Sequence, residues 1–503
     1  MEKKNIFGRR PGVAAQLALW LAVLFLLSAV LSRTVFDVGL FVILRKLIYL
    51  TLLYWLLGAI IPLLYHKNVS REELAGFSAA KLYEKAEAKE KVMFIDDNDE
   101  ALKKRIEIIE TAKQEIVYST FVFSDDNSGT DVMSLLYEAA KRGVKVRLLV
   151  DGLRCMQFLH CRKLRALVSL PNVSVYAYNP PLLLKPWTIH ARLHDKYILI
   201  DDKTYMIGGR NTNDLFLGDY SNKKNYDREL LVINESENVG SIAGLQRYFD
   251  SVLALNSTHK LSAKTHCERF AQTYEKLHKN YLCLQNVYSQ AFRPMDCSSE
   301  MVAADNIVLL CNRVEATNKA PLLWEILKKT MLSGQRILVQ TPYLILNNKM
   351  MDDLKEISGN CQNRPEFITN AVETGANAWG CSDYLNRKKR LLTTGWGIYE
   401  CVSNDSCHLK SILIDDKLSL VGSFNFDMRS AYLDTELMLA VNSAELNDRL
   451  RQSAEESVSK SRFVSQGNAV VYGKNYEEIP MPTVKKLIYG IMRLLIRPIR
   501  HLL

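Results

Sequence analysis

A histidine and a lysine two positions apart, closed by an aspartate, occur twice in this chain: HDKYILID at 194–201 and HLKSILID at 408–415. On an extended strand the side chains alternate, so His194 and Lys196 share one face, as do His408 and Lys410. The apolar ILI after each lysine would bury the strand. Each copy is followed, at the same spacing, by small residues and an amide: Gly208, Gly209 and Asn211, then Gly422, Ser423 and Asn425. Gly209 and Ser423 are expected to let backbone N–H groups approach an anion, with Asn211 and Asn425 adding amide donors. Asp201 and Asp415 complete the catalytic motifs at strand ends, where they hold the motif in shape.

Two such halves facing one another would gather two imidazoles, two ammonium groups and two amides in one place. That set suits a phosphodiester, because fixed donors and cations stabilise the charge that builds on phosphoryl oxygens. One neutral histidine can attack phosphorus while the other, protonated, donates to the leaving alkoxide, and the roles then reverse. The lysines supply the positive charge, so no metal or other cofactor is expected. No Cys-x-x-Cys pair and no zinc-like Cys/His spacing occurs. Cys155 with Cys161, and Cys401 with Cys407, have the same separation. The second pair could face across a hairpin, either as a disulfide in an exported protein or as free thiols in the cytosol.

The elements that must position these groups read as a duplication. QEIVYSTFVF is a buried strand, DVMSLLYEAAKRGVKVRLLVDG a helix then a strand, and NVSVYAYN a further strand before the first motif. The second half repeats the series: helix PLLWEILKKTMLSG, strands QRILVQTPYLI, PEFITNAV and GWGIYECV, then the motif. YDRELLV parallels LDTELML after each motif. This alternation implies an α/β sheet covered by helices. The expected layout is a membrane region at 1–71, a first domain at 72–255 with a polar, helical entry, a helical connector at 256–304, a second domain at 305–450, and a tail at 451–503.

At 503 residues the chain can hold several domains, and its hydrophobic content, 48% overall, is densest in the first 65 positions. Two uncharged runs, 13–32 and 47–65, are each long enough for a helix to cross the ~30 Å hydrocarbon core. Lys3, Lys4, Arg9 and Arg10 favour a cytoplasmic N-terminus, and a two-span hairpin returns the chain to the cytoplasm. A cleaved signal peptide and a single exporting span are the competing topologies. The tail TVKKLIYGIMRLLIRPIRHLL puts Lys486, Arg493, Arg497 and Arg500 on one helical stripe and Leu487, Ile488, Ile491 and Leu495 on another. That is the pattern of a helix lying on an anionic membrane surface. The formal charge of +10 suits anionic lipid and nucleic acid equally.

The paired motifs resemble those of the phospholipase D superfamily. Within it, GGRNTNDLF, GSFNFDMRSAYLDTE, PNVSVYAYNP and FITNAVETGANA are similar to bacterial cardiolipin synthases, over about residues 100–442. The resemblance implies two tandem phospholipase D-like α/β/α sandwich domains in a pseudo-twofold pair, here preceded by two transmembrane helices. Taken with the two apolar runs and the basic N-terminus, it gives a multi-pass bacterial membrane enzyme with cytoplasmic catalytic domains as the expectation. Such an enzyme moves phosphatidyl from phosphatidylglycerol onto the glycerol hydroxyl of a second phospholipid, releasing glycerol and making cardiolipin, with phosphatidylethanolamine a further candidate substrate. The resemblance makes His194 the nucleophile and His408 the acid/base, and it implies a carboxylate orienting each histidine: Asp227 and Glu436, with Glu229 and Asp434 as alternates. Gly209 stands where many members carry serine, and the cysteine-bearing loop before His408 has no family counterpart.

A hydrolase with the same site, acting on lipid or nucleic acid, is the alternative. The two expected spans, and the lack of a basic segment interleaved with aromatics, count against a nucleic-acid partner. A silent membrane scaffold conflicts with intact histidine, lysine and asparagine in both halves.

Overall fold

The computed structural model describes residues 40–65, 67–158, 161–236, 239–261, 267–293, 300–375 and 377–503. It contains two sheets of nine strands, and eight of the nine follow the same order in both. The first runs Glu90–Ile95, Glu229–Asn234, Thr204–Gly208, Tyr197–Ile200, Glu115–Thr120, Lys145–Asp151, Val173–Tyr178, Thr258–Lys260. The second runs Asn306–Cys311, Leu437–Asn442, Leu418–Gly422, Ser411–Ile414, Ile337–Gln340, Glu366–Asn370, Gly397–Cys401, Ser461–Val464. The repeat seen in the motifs therefore extends to the order of eight strands in each sheet.

The motif strands YILI and SILI are buried at every position. Such continuous apolar runs are what a sheet covered on both faces requires. Each motif strand pairs antiparallel with the first of three parallel strands, Glu115–Thr120 or Ile337–Gln340. The His-x-Lys entrance thus sits at the carboxyl ends of the parallel strands, where open α/β sheets bind ligands. One core cluster joins the halves, with Leu199, Ile207 and Leu230 of the first packed together with Leu413, Val421 and Leu437 of the second.

Several boundaries differ from the sequence reading. The entry segment is not helical throughout: Glu90–Ile95 is a strand paired along Glu229–Asn234. Val92, Met93 and Ile95 are buried there, and the helix Asn98–Thr111 starts only at Asp97, whose carboxylate accepts the amides of Asp99 and Glu100. The segment at 256–304 is not a separate connector. Thr258–Lys260 adds to the first sheet, and the helix Ala271–Val287 sends Leu277, Tyr281 and Leu284 into the first core. Val302–Ala304 still pairs with the first sheet while Asn306–Cys311 already belongs to the second, so Asp305 alone separates them. The second domain runs past 450, because Ser461–Val464 pairs with Gly397–Cys401.

The first expected span, 13–32, lies outside the described residues. The second corresponds to the helix Leu40–Ile60, and the stretch Val42–Leu63 is long and apolar enough to cross a membrane. Arg45 and Lys46, which immediately precede the expected span, fall inside the helix near its start. Its far end packs on the loop leading to the first motif: Tyr54 Oη donates to Leu184 O at 2.7 Å, and a Cβ on Gly58 would stand 2.5 Å from Pro186. In the tail, the helix Thr483–Leu495 stops before Pro498, so Arg500 leaves the expected basic stripe and pairs with Asp383 at 2.9 Å. Cys155, Cys161, Cys401 and Cys407 are buried free thiols.

Candidate active site

The entrance of each motif strand is strapped to the opposite half. His194 N–H donates to Thr435 Oγ1 at 3.1 Å, and His408 N–H to Tyr226 O at 2.7 Å. These straps deliver each histidine to a carboxylate of the other half. His194 Nδ1 lies 2.8 Å from Glu436 Oε1, and His408 Nδ1 lies 2.6 Å from Asp227 Oδ2. A carboxylate on Nδ1 fixes the Nδ1–H tautomer and leaves Nε2 with the lone pair. The strand alternation behind this is visible at Asp195, which points away and is held by Tyr248 Oη at 2.5 Å and Ser119 Oγ at 3.2 Å.

Lys410 Nζ lies 3.2 Å from Asp227 and also donates to His408 O, while Lys196 Nζ donates to His194 O. Burial, then the lysine charges, holds both imidazoles neutral: His194 falls well below its ordinary value and His408 to about 4. Burial also brings the Lys196 ammonium down to about 7, against the pull of Glu436. The carboxylates differ. Burial pushes Glu436 up to about 8, against Lys196 and the hydroxyls of Ser423 and Ser430. At Asp227 burial is outweighed by Lys410 and His408, which hold the carboxyl below its usual range. Both carboxylates and both lysines are buried, so the charges balance largely within the cluster.

The family model described as "Cardiolipin synthase, PLD-like domain" matches residues 106–253 and 326–458, more than half of the chain. The chain belongs to the phospholipase D-like family. Cardiolipin synthase C of Escherichia coli is similar to it, with 26% identity over 382 residues, covering 69% of this chain and 80% of the relative. Cardiolipin synthase A of Wigglesworthia glossinidia brevipalpis shares 24% identity over 382 residues, with coverages of 75% and 69%. An uncharacterized Helicobacter pylori protein shares 25% over 414 residues, with coverages of 73% and 79%. The fold is also that of a phosphatidylserine synthase from Haemophilus influenzae, at TM-score 0.57 and 16% identity, covering 84% of this chain and 99% of the other.

Not every residue of the phospholipase D-like motifs stands with the histidines. Asp201 and Asp415 lie beyond the far ends of the motif strands, both at positive φ. Asp201 accepts the amides of Lys113, Gln114 and Glu115 at 2.6–2.8 Å, and Asp415 those of Gln335 and Arg336 at 2.8 Å. They pin the turn to the neighbouring strand and leave the chemistry to other groups. The expectation that Gly209 and Ser423 present backbone N–H groups to phosphate is corrected too, because those groups donate to Arg228 O and Leu437 O. A Cβ on Gly209 would stand 2.4 Å from Asp227 Oδ1, so glycine makes room for the carboxylate. Ser423 Oγ donates to Glu436 instead. Asn211 Oδ1 accepts Val122 N–H at 3.2 Å, which leaves its amide NH2 as a donor, and the buried Asn425 Oδ1 has no partner among the described residues. The alternates Glu229 and Asp434 are engaged elsewhere, with Arg105 and with Arg429.

The sequence reading missed the aromatic walls of this phospholipase D-like site. Phe121 stands edge-on to His194 with ring centres 5.2 Å apart. Phe216 at 5.0 Å and Tyr343 at 6.3 Å flank His408. A signal existed: Phe121 and Tyr343 follow Thr120 and Thr341, whose hydroxyls both cap the carbonyl two residues on. Among the described residues no cluster of three His, Cys, Asp or Glu side chains could hold a metal ion.

Proposed function

We propose that this phospholipase D-like protein is a phosphatidyltransferase that makes cardiolipin from phosphatidylglycerol and a second phospholipid. The observation that carries the reading is the pair of crossed contacts, His194 with Glu436 and His408 with Asp227, each beside a buried lysine. Phospholipid as substrate is supported by the cardiolipin synthase relatives and by the apolar stretch Val42–Leu63. The same stretch, the uncharged run at 13–32 and the basic N-terminus support a place in the bacterial cell membrane, in two spans, with the catalytic halves on the cytoplasmic side.

In the first step Nε2 of His194 attacks the phosphorus of phosphatidylglycerol. The bound phosphodiester offsets the lysine charges that hold His408 neutral, so His408 takes a proton from solvent. The bond from phosphorus to the headgroup glycerol oxygen then breaks and His408 protonates that oxygen, leaving phosphatidyl on His194. Asp227 favours the imidazolium that His408 must form, which supports its assignment as acid/base. Neutral His408 then takes a proton from a hydroxyl of the second lipid, whose oxygen attacks phosphorus and frees His194. Lys196, Lys410 and the amides of Asn211 and Asn425 hold the phosphoryl oxygens as charge builds.

The test is product analysis of the purified full-length protein in vesicles, with chelator present, on phosphatidylglycerol alone and then with phosphatidylethanolamine added. Cardiolipin and glycerol from the first mixture support the reading, and ethanolamine release from the second would identify it as a further donor. Phosphatidic acid as the sole product overturns it in favour of a hydrolase.

A further inference from the structure

The helix Thr483–Leu495 takes no part in the chemistry, yet it presents three distinct stripes. Tyr489 is buried against the second domain, and Ile496, the residue just after the helix, is buried as well. Tyr489 Oη donates to Gly375 O at 3.3 Å, and Lys485 Nζ to Glu373 O at 2.8 Å and Gly375 O at 3.0 Å. On the opposite stripe Val484, Leu487, Ile488, Ile491, Leu494 and Leu495 are 45–70% exposed. Along one flank Lys486, Arg493 and Arg497 are exposed, and none has an acidic partner among the described residues. A contiguous apolar stripe with a basic border calls for an apolar phase beside negative charge.

The neighbouring elements point to which phase that is. The chain end following this helix packs where the apolar helix stops: His501 Nε2 is 3.4 Å from Ile60 O, and Arg429 donates to Leu502 O at 2.9 Å. Val42–Leu63 is long and apolar enough to span a bilayer, so its end marks the headgroup level. The segment touching that end lies at the same level. We infer that the helix Thr483–Leu495 lies in the surface of an anionic bilayer, with the apolar stripe in the acyl boundary and Lys486, Arg493 and Arg497 among the phosphates. This holds whichever reaction the site performs.

The full-length protein reconstituted in phosphatidylglycerol-containing vesicles tests it. Benzoylphenylalanine replaces Leu487 or Leu494 in separate variants, and exposed Lys279 in a control, and adducts are identified after illumination. The expected result is lipid adduct at Leu487 and Leu494 at least tenfold above Lys279, falling at least threefold in purely zwitterionic vesicles. Adduct to a second copy of the chain, or lipid adduct no higher than at Lys279, overturns the inference. Equal yields in the two vesicle types overturn the part assigned to the basic flank.

Discussion

Asp227 and His408 meet at 2.6 Å although they belong to different domains, and the contact is a charged one because Lys410 keeps the carboxyl ionised. Asp227→Asn keeps the shape and removes the charge that favours an imidazolium. Loss of the corresponding charge in other carboxylate–histidine pairs costs up to ~10⁴ in kcat. We expect at least about a hundredfold loss here, and a smaller one for Glu436→Gln, because burial pushes that carboxyl up to about 8 and leaves less charge to remove. Steady-state rates, with circular dichroism to verify folding, check this.

The two histidines are expected to differ when the leaving group needs no proton. With a p-nitrophenyl phosphodiester, His408→Ala should release one equivalent of nitrophenol and then stall, with the phosphoryl adduct on His194 in mass spectra. His194→Ala should show neither burst nor adduct. A burst in His194→Ala with the adduct on His408 would reverse the assignment.

Gly209→Ala introduces a methyl where only 2.4 Å separates it from Asp227. The carboxylate must move off Nδ1 of His408, so kcat should fall at least about tenfold, the loss of one charge-assisted hydrogen bond. Ser423→Ala leaves space and removes one donor to Glu436, and it should cost less. Comparing kcat in the two variants decides the point.

Substrate affinity should fall at alkaline pH. Lys196 is lowered to about 7, so it is charged below that pH and neutral above it, while a bound phosphodiester favours the ammonium. Binding above pH 7 therefore takes up a proton, and KM should rise by up to about tenfold per unit as pH increases. Lys196→Arg should flatten the profile, because guanidinium stays charged. A wild-type KM that stays constant from pH 7 to 9 would contradict this.

Asp201→Asn tests the separation of shape from chemistry. The carboxylate accepts three backbone amides, and its replacement should lower unfolding stability by about 1–3 kcal/mol. At a temperature where the variant is folded, kcat should stay within a few-fold of wild type. Denaturant melts and rates on the same preparation measure both.

The succession of strands around each motif was legible because buried strands write themselves as runs such as YILI and SILI, and because matching spacing is visible twice. The edge strand Glu90–Ile95 was not, since KVMFID sits in a polar stretch and owes its form to pairing with Glu229–Asn234. The histidines and lysines could be named from the chain, and their carboxylates from its resemblance to the phospholipase D superfamily. That each carboxylate serves the opposite half could not, because it depends on how the two sheets face one another. The functions assigned to Gly209 and Ser423 failed for a related reason: a small residue marks a close approach without saying what approaches.

The joint at Asp305 limits how this protein can move. With one residue between the last strand of the first sheet and the first strand of the second, the chain has no slack for the domains to swing apart. The proposed phospholipid must therefore reach the histidines without the domains parting on a flexible linker.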